Sequence, residues 1–147
     1  MGFESDLLTG IAELLDEYGA GNWSPNAVPT AEPAIVLGRI PQSPERIISL
    51  AAYGVATDSK LTDSIVGVQV RVRGSTAPMA ASDIADDVFD ALHGQTDVEL
   101  GAGTAHALWV VAIAWQSSAD LGPDSNGRYE RSDNYYVTVN RPSLRLE

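Results

Sequence analysis

The stretch Ser64–Gly74, S-I-V-G-V-Q-V-R-V-R-G, constrains the fold more than any other part of this chain. After Ile65, Val66, Val68, Val70 and Val72 fall on one side, and Gly67, Gln69, Arg71 and Arg73 on the other. A period of two with β-branched residues on one side predicts a strand with one buried and one wet face. The wet side carries two of only nine Lys and Arg in 147 residues. Those two charges are expected to meet acidic neighbours or a partner surface.

The flanking segments predict one α+β domain over residues 1–147. Leu7, Leu8, Ile11, Leu14, Leu15 and Tyr18 recur at helical spacing, giving a helix over 5–18 with Ser5 as N-cap and Gly19 as the left-handed terminator. Residues 19–33, rich in Pro and Gly, read as a loop that Trp23 and Val28 pin to the surface. Ala34–Ile40 and Arg46–Tyr53 read as strands, the second covered on both faces. Polar residues 54–63 read as a long mobile loop.

After Gly74, Pro78 opens a helix that runs to His93 and stops at Gly94. Its core stripe is Ala81, Ile84, Ala85, Val88, Ala91 and Leu92. Asp83, Asp86, Asp87 and Asp90 share the opposite side. Val98–Leu100 is a short strand candidate, and His106–Ser117 is the most hydrophobic strand. With Trp109, Val111, Ile113 and Trp115 on one face and Leu108, Val110, Ala112 and Ala114 on the other, it reads as central and covered twice. Tyr129–Asn140 supplies the last strand, and residues 142–147 a flexible tail. The expected order is α-β-β-β-α-β-β, an antiparallel or mixed sheet with both helices on one face.

Catalytic and metal-binding motifs do not emerge from these segments. With no cysteine, disulfides, thiolate zinc sites and cysteine nucleophiles are excluded. His93 suits a helix C-terminus and His106 begins a strand, with nothing linking them at metal-ligand spacing. Clustered carboxylates can bind metal, but no histidine matches the four aspartates, and a solvated acidic face is the better account. Residues 122–133 partly resemble a calcium loop, yet Gly122 and Asp133 stand where Asp and Glu ligands belong, so Asn126-Gly127 reads as a turn. No phosphate loop or nucleophile elbow is present, and neither an enzyme nor a cofactor is expected. No apolar run reaches about 18 residues, so no membrane span is expected. The acidic N-terminus is unlike a signal peptide, and the chain is expected to be made and used inside a cell. A net charge of −11 argues against phosphate-backbone binding.

Several segments, taken in order, resemble the minor capsid or tail-terminator proteins of long-tailed bacteriophages, particularly those of actinobacterial phages. They are the opening helix with G-A-G-N-W (Gly19–Trp23), Ile40–Tyr53, Val68–Gly74, Asp87–Gly94 and Leu121–Val137, within residues 1–141. The resemblance implies a virion structural protein of the neck or tail, assembled in the host cytoplasm. It implies a ring, usually of six subunits, that halts the major tail (tube) protein and offers a joining surface to the head connector. DNA would pass through the lumen without specific binding. Such a ring needs two complementary surfaces on each subunit. Gln69, Arg71 and Arg73 on one side and Asp83, Asp86, Asp87 and Asp90 on the other are the candidates. A neck protein that completes the head is the alternative within this class. A small-molecule-binding domain using Trp23, Trp109 and Trp115 as a pocket is the alternative from another.

Overall fold

In the computed structural model, described for residues 2–57 and 63–140, the order is α1 (Phe3–Glu17), β1 (Ala34–Leu37), β2 (Ile47–Thr57), β3 (Asp63–Arg73), α2 (Ala80–Leu92), β4 (Thr96–Leu100), β5 (Leu108–Pro123) and β6 (Tyr129–Asn140). The strands form one mixed sheet in the order β1-β2-β3-β6-β5-β4, with β1 parallel to β2 and the other pairs antiparallel. The alternating strand β3 lies at the middle, between β2 and β6.

Val66, Val68, Val70 and Val72 are all buried, sharing one core with Leu7, Ile11 and Leu15 of α1 and Ile84, Val88 and Leu92 of α2. Cross-strand partners Ile48, Leu50, Tyr135 and Val137 complete the sheet side of that core. Helix α1 comes close to β4 because Gly10 leaves room: a Cβ there would stand 2.7 Å from Leu100 Cβ. At its end, Gly19 takes φ 78°, and its N–H and that of Ala20 reach back to Asp16 O and Leu15 O.

Several elements depart from the sequence reading. Ser5 lies inside α1, which Gly2 precedes as the capping position, and Tyr18 is 56% exposed, outside the buried stripe. Trp23 does pin the following loop, by packing on the core and donating its N–H to Asp16 Oδ2, but Val28 is exposed. Strand β1 stops at Leu37, and Gly38 turns away with φ 77°. Pro78 sits in the turn before α2 rather than in its first turn. Residues 54–57 belong to β2, because pairing with Ser64–Val66 extends it past a bulge at Gly54/Ala56; the rest of that expected loop, 58–62, lies outside the described residues, as does the expected tail 142–147.

Strand β5 corrects the reading of a doubly covered central strand. It runs on to Pro123 and stands second from the edge. Register shifts between Val110 and Ala112 and between Trp115 and Ser117 change which residues face the helices. Val110 and Ile113 are therefore both buried although three residues apart, and Trp115 lies opposite Tyr135 on the helix side. Trp109, beside Glu99, faces the other way and is 46% exposed. By contrast β2 is covered on both faces at its start, where Ile47 packs with Ala34 and Val36 away from the helices.

Replacing Leu15, at 0% exposure, by Ala is expected to cost about 2–5 kcal/mol in urea unfolding. Tyr18→Ala should stay within about 0.5 kcal/mol, and equal losses would contradict the observed stripe.

Candidate assembly surfaces

The sheet face opposite the helices carries the non-valine side of β3. Gln69 pairs in register with Ala51 and Asn134, Arg71 with Ser49 and Ser132, and Arg73 with Ile47 and Glu130. Gln69 and Arg71 are exposed, as the alternation requires. Arg73 is not: it is 4% exposed, and its guanidinium donates to Glu45 O at 2.8 Å, Gln42 O at 3.1 Å and Pro44 O at 2.7 Å. The prolines that interrupt the chain after β1 leave these carbonyls without a ladder partner, and Arg73 satisfies them together. Burial pushes the Arg73 pKa down, but an arginine keeps its charge at any ordinary pH.

A second arginine fixes the same loop from the β5–β6 turn. Arg128 donates to Gln42 O at 3.0 Å and to Asp124 Oδ2 at 3.0 Å. Asp124 Oδ1 in turn accepts the N–H groups of Asn126 and Arg128 at 2.9 Å, and Gly127 closes the turn at φ 78°. The Arg128 N–H, foremost among these donors, holds the Asp124 carboxyl below the usual carboxylate range. The expected turn is thus present, and the carboxylate that suggested a calcium ligand is committed to backbone and guanidinium.

Together these residues enclose a hollow of about 460 Å³ on the helix-free face. Arg39, Arg71, Arg73 and Arg128 line it against Asp124 and Glu130, and Arg71 Nη2 lies 2.7 Å from Glu130 Oε1. Four of the nine basic residues of an acidic chain therefore converge on one concavity. Sequence reading found Arg71 and Arg73 through the alternation of β3. It missed Arg39 and Arg128, which only the sheet register and the folded-back loop bring alongside.

The second expected surface lies on the other layer. Asp83, Asp86, Asp87 and Asp90 are all exposed along α2, whose six predicted core residues are all buried. Phe89 shares that outer side, 37% exposed and stacked on His93 with ring centroids 4.6 Å apart. The His93 Nδ1 accepts the backbone N–H of Trp115 at 3.0 Å, tying the end of α2 to β5. Beneath α2, Asp133 is 3% exposed and pairs with Arg131 at 2.8 Å, two residues along the strand on the same face. The Tyr135 hydroxyl next to them has no hydrogen-bond partner among the described residues, and burial raises its pKa.

Other expected roles dissolve in the geometry. The three tryptophans do not form a pocket: Trp23 lies beside β1, Trp109 on the helix-free face of β5, and Trp115 on the helix side. His106 pairs with Glu13 at 2.9 Å. Among the described residues no three His, Cys, Asp or Glu converge as a metal site, and no helix is long and apolar enough to cross a membrane.

An α+β subunit with two oppositely charged surfaces and no catalytic constellation among its described residues fits an assembling structural protein. The family comparison agrees: the model for the bacteriophage tail terminator protein matches residues 14–141, and the chain belongs to that family. It is accordingly a phage virion structural protein and not an enzyme. Among solved structures, a chain from the virion of a native gene transfer agent particle superposes with a TM-score of 0.55. It is 18% identical and covers 71% of this chain and 77% of its own, a likeness of fold. No curated protein sequence matches significantly.

Replacing Arg73 by Met should release the 42–45 loop and cost at least about 1.5 kcal/mol, the value of one charge-assisted hydrogen bond. Amide hydrogen exchange should rise first in residues 39–46; uniform protection there would contradict the clamp.

Proposed function

We propose that this protein caps the head-proximal end of the tail tube as a closed ring, stops addition of the tube protein and presents the joining surface for the head connector. Family membership carries this reading. Two features of the subunit support it. A ring built head to tail needs two different surfaces that complement each other. The arginine-lined hollow on the helix-free face and the four aspartates of α2 lie on opposite layers with opposite charge. In the proposed contact, Gln69 and Arg71 of one subunit face Asp83, Asp86, Asp87 and Asp90 of the next. Arg73 acts behind them, by holding the loop that walls the hollow.

The net charge of −11 has a place in this scheme. Carboxylates left over after the subunit contacts would face the lumen and repel the DNA phosphates passing through it. Phage assembly in the host cytoplasm, followed by residence at the neck of the virion, is the setting this reading implies.

Arg71→Glu should raise the concentration needed for half-assembly by about tenfold or more, since like charges across an interface cost several kcal/mol. Its folding stability should also fall, because Glu130, with its side chain only 12% exposed, loses its cation, so assembly is compared where circular dichroism shows both proteins folded. Adding Asp86→Arg and Asp87→Arg should restore the ring on native mass measurement. Undiminished assembly of Arg71→Glu, or no rescue, would refute this pairing of surfaces.

A further inference from the structure

Between α2 and strands β5 and β6 opens a second concavity, of about 350 Å³, lined by Ala85, Asp86, Phe89, Trp115, Arg131 and Asp133. Phe89 and Trp115 are each 37% exposed, two large aromatic side chains left half open on the surface. The charges within it nearly cancel. Arg131 gives both its contacts, from Nε at 2.8 Å and from Nη2 at 3.4 Å, to Asp133. Asp86 is exposed and forms no ion pair among the described residues, so the concavity keeps one net negative charge. Aromatic walls beside one unmatched carboxylate suit a cation on an apolar stem. The planar guanidinium of an arginine, which stacks on aromatic faces, suits them best.

The chain carries such a group on its other layer. Of the four arginines that line the hollow, Arg71 pairs with Glu130, Arg128 with Asp124, and Arg73 with three carbonyls. Arg39 is exposed and has no hydrogen-bond or ion-pair partner among the described residues. Its backbone is nevertheless held on both sides. Gly38 N–H donates to Leu50 O at 2.8 Å, Gly38 O accepts the Ser49 hydroxyl at 2.6 Å, and Ile40 packs on Ala34, Val36 and Ile47. A charge presented from a fixed backbone loses less freedom on binding than one on a loose segment. Arg46 is exposed too, but it does not line the hollow, so a contact centred on Arg71 brings Arg39 to α2 and leaves Arg46 aside. Nor can Arg39 fill the concavity of its own subunit. It follows β1, four strand spacings or about 19 Å from β5.

We infer that Arg39 of one copy stacks its guanidinium on Phe89 and Trp115 of the next, with Asp86 as its counter-charge. The inference rests on the ring reading and gives its charged contact an apolar anchor. Arginine and tryptophan in a desolvated pocket are the residues that dominate interface energies, whereas exposed charge pairs at a rim add little.

The half-assembly concentration on native mass, taken where circular dichroism shows each variant folded, tests this contact. Arg39→Ala and Trp115→Leu should each raise it about fivefold or more. The double variant should lose no more than the worse single one, because both changes remove the same contact. Losses that multiply in the double variant would overturn the inference, and so would assembly unchanged by Arg39→Ala. Phe89→Lys, a second route that spares Trp115, sets a like charge against Arg39 and should weaken assembly; adding Arg39→Glu should restore it, and no rescue would count against the contact. Rings that fail these tests yet weaken with Arg71→Glu would overturn the Arg39 contact alone. Protein that forms no ring at any concentration, free or on tube ends, would overturn the ring reading with it.

Discussion

The burial of the β3 valines under two helices is the interaction on which the rest of the structure depends. Each buried valine contributes about 1.5 kcal/mol or more from the hydrophobic effect, and the four stand in one row at the centre of the sheet. Because the period of a strand is two, fixing that row toward the helices fixes Gln69 and Arg71 toward the other face. The helix-free face thus keeps polar and small residues, from Ser49 and Ala51 on β2 to Asn134 and Ser117 on β6 and β5. Beyond the start of β2, where Ile40 packs on Ala34, Val36 and Ile47, the sheet is covered on one side only and has a surface free for another protein.

Electrostatics then divides the molecule. On one layer, the clamp formed by Arg73 and Arg128 folds residues 38–46 against the sheet, turning a flat face into a hollow lined by four arginines. On the other, the helical repeat that buries Ala81, Ile84 and Val88 pushes Asp83, Asp86, Asp87 and Asp90 outward. Neither surface carries the convergent, desolvated titratable groups that catalysis uses. Of the deeply buried polar groups, Asp133 and the Tyr135 hydroxyl lie between α2 and the sheet, and Arg73 is committed to the carbonyls of the 42–45 loop.

How much of this was legible in the sequence depends on the range of the interactions involved. The valine row, the α2 stripe and its acidic face, and the Gly19 terminator depend on neighbours within a few residues, so local periodicity reveals them. The resemblance to tail terminators rested on the order of such segments, and the family match over residues 14–141 agrees with it. Arg73 shows where local reading stops: its position on the wet side of β3 is correct, but carbonyls some thirty residues away bury it. Strand β5 fails for a related reason, since bulges reset the alternation that placed Trp109 and Trp115 on one face. The arginine hollow needed four segments to meet, and no spacing encodes that.

The central claim is that this subunit closes a tail tube. The most direct measurement is growth of the cognate tube from purified tube protein, followed by electron microscopy, with and without this protein. The account predicts that elongation stops on addition and that a ring of density marks one end of each tube. Continued elongation, or binding along the tube wall with no preference for an end, would contradict it.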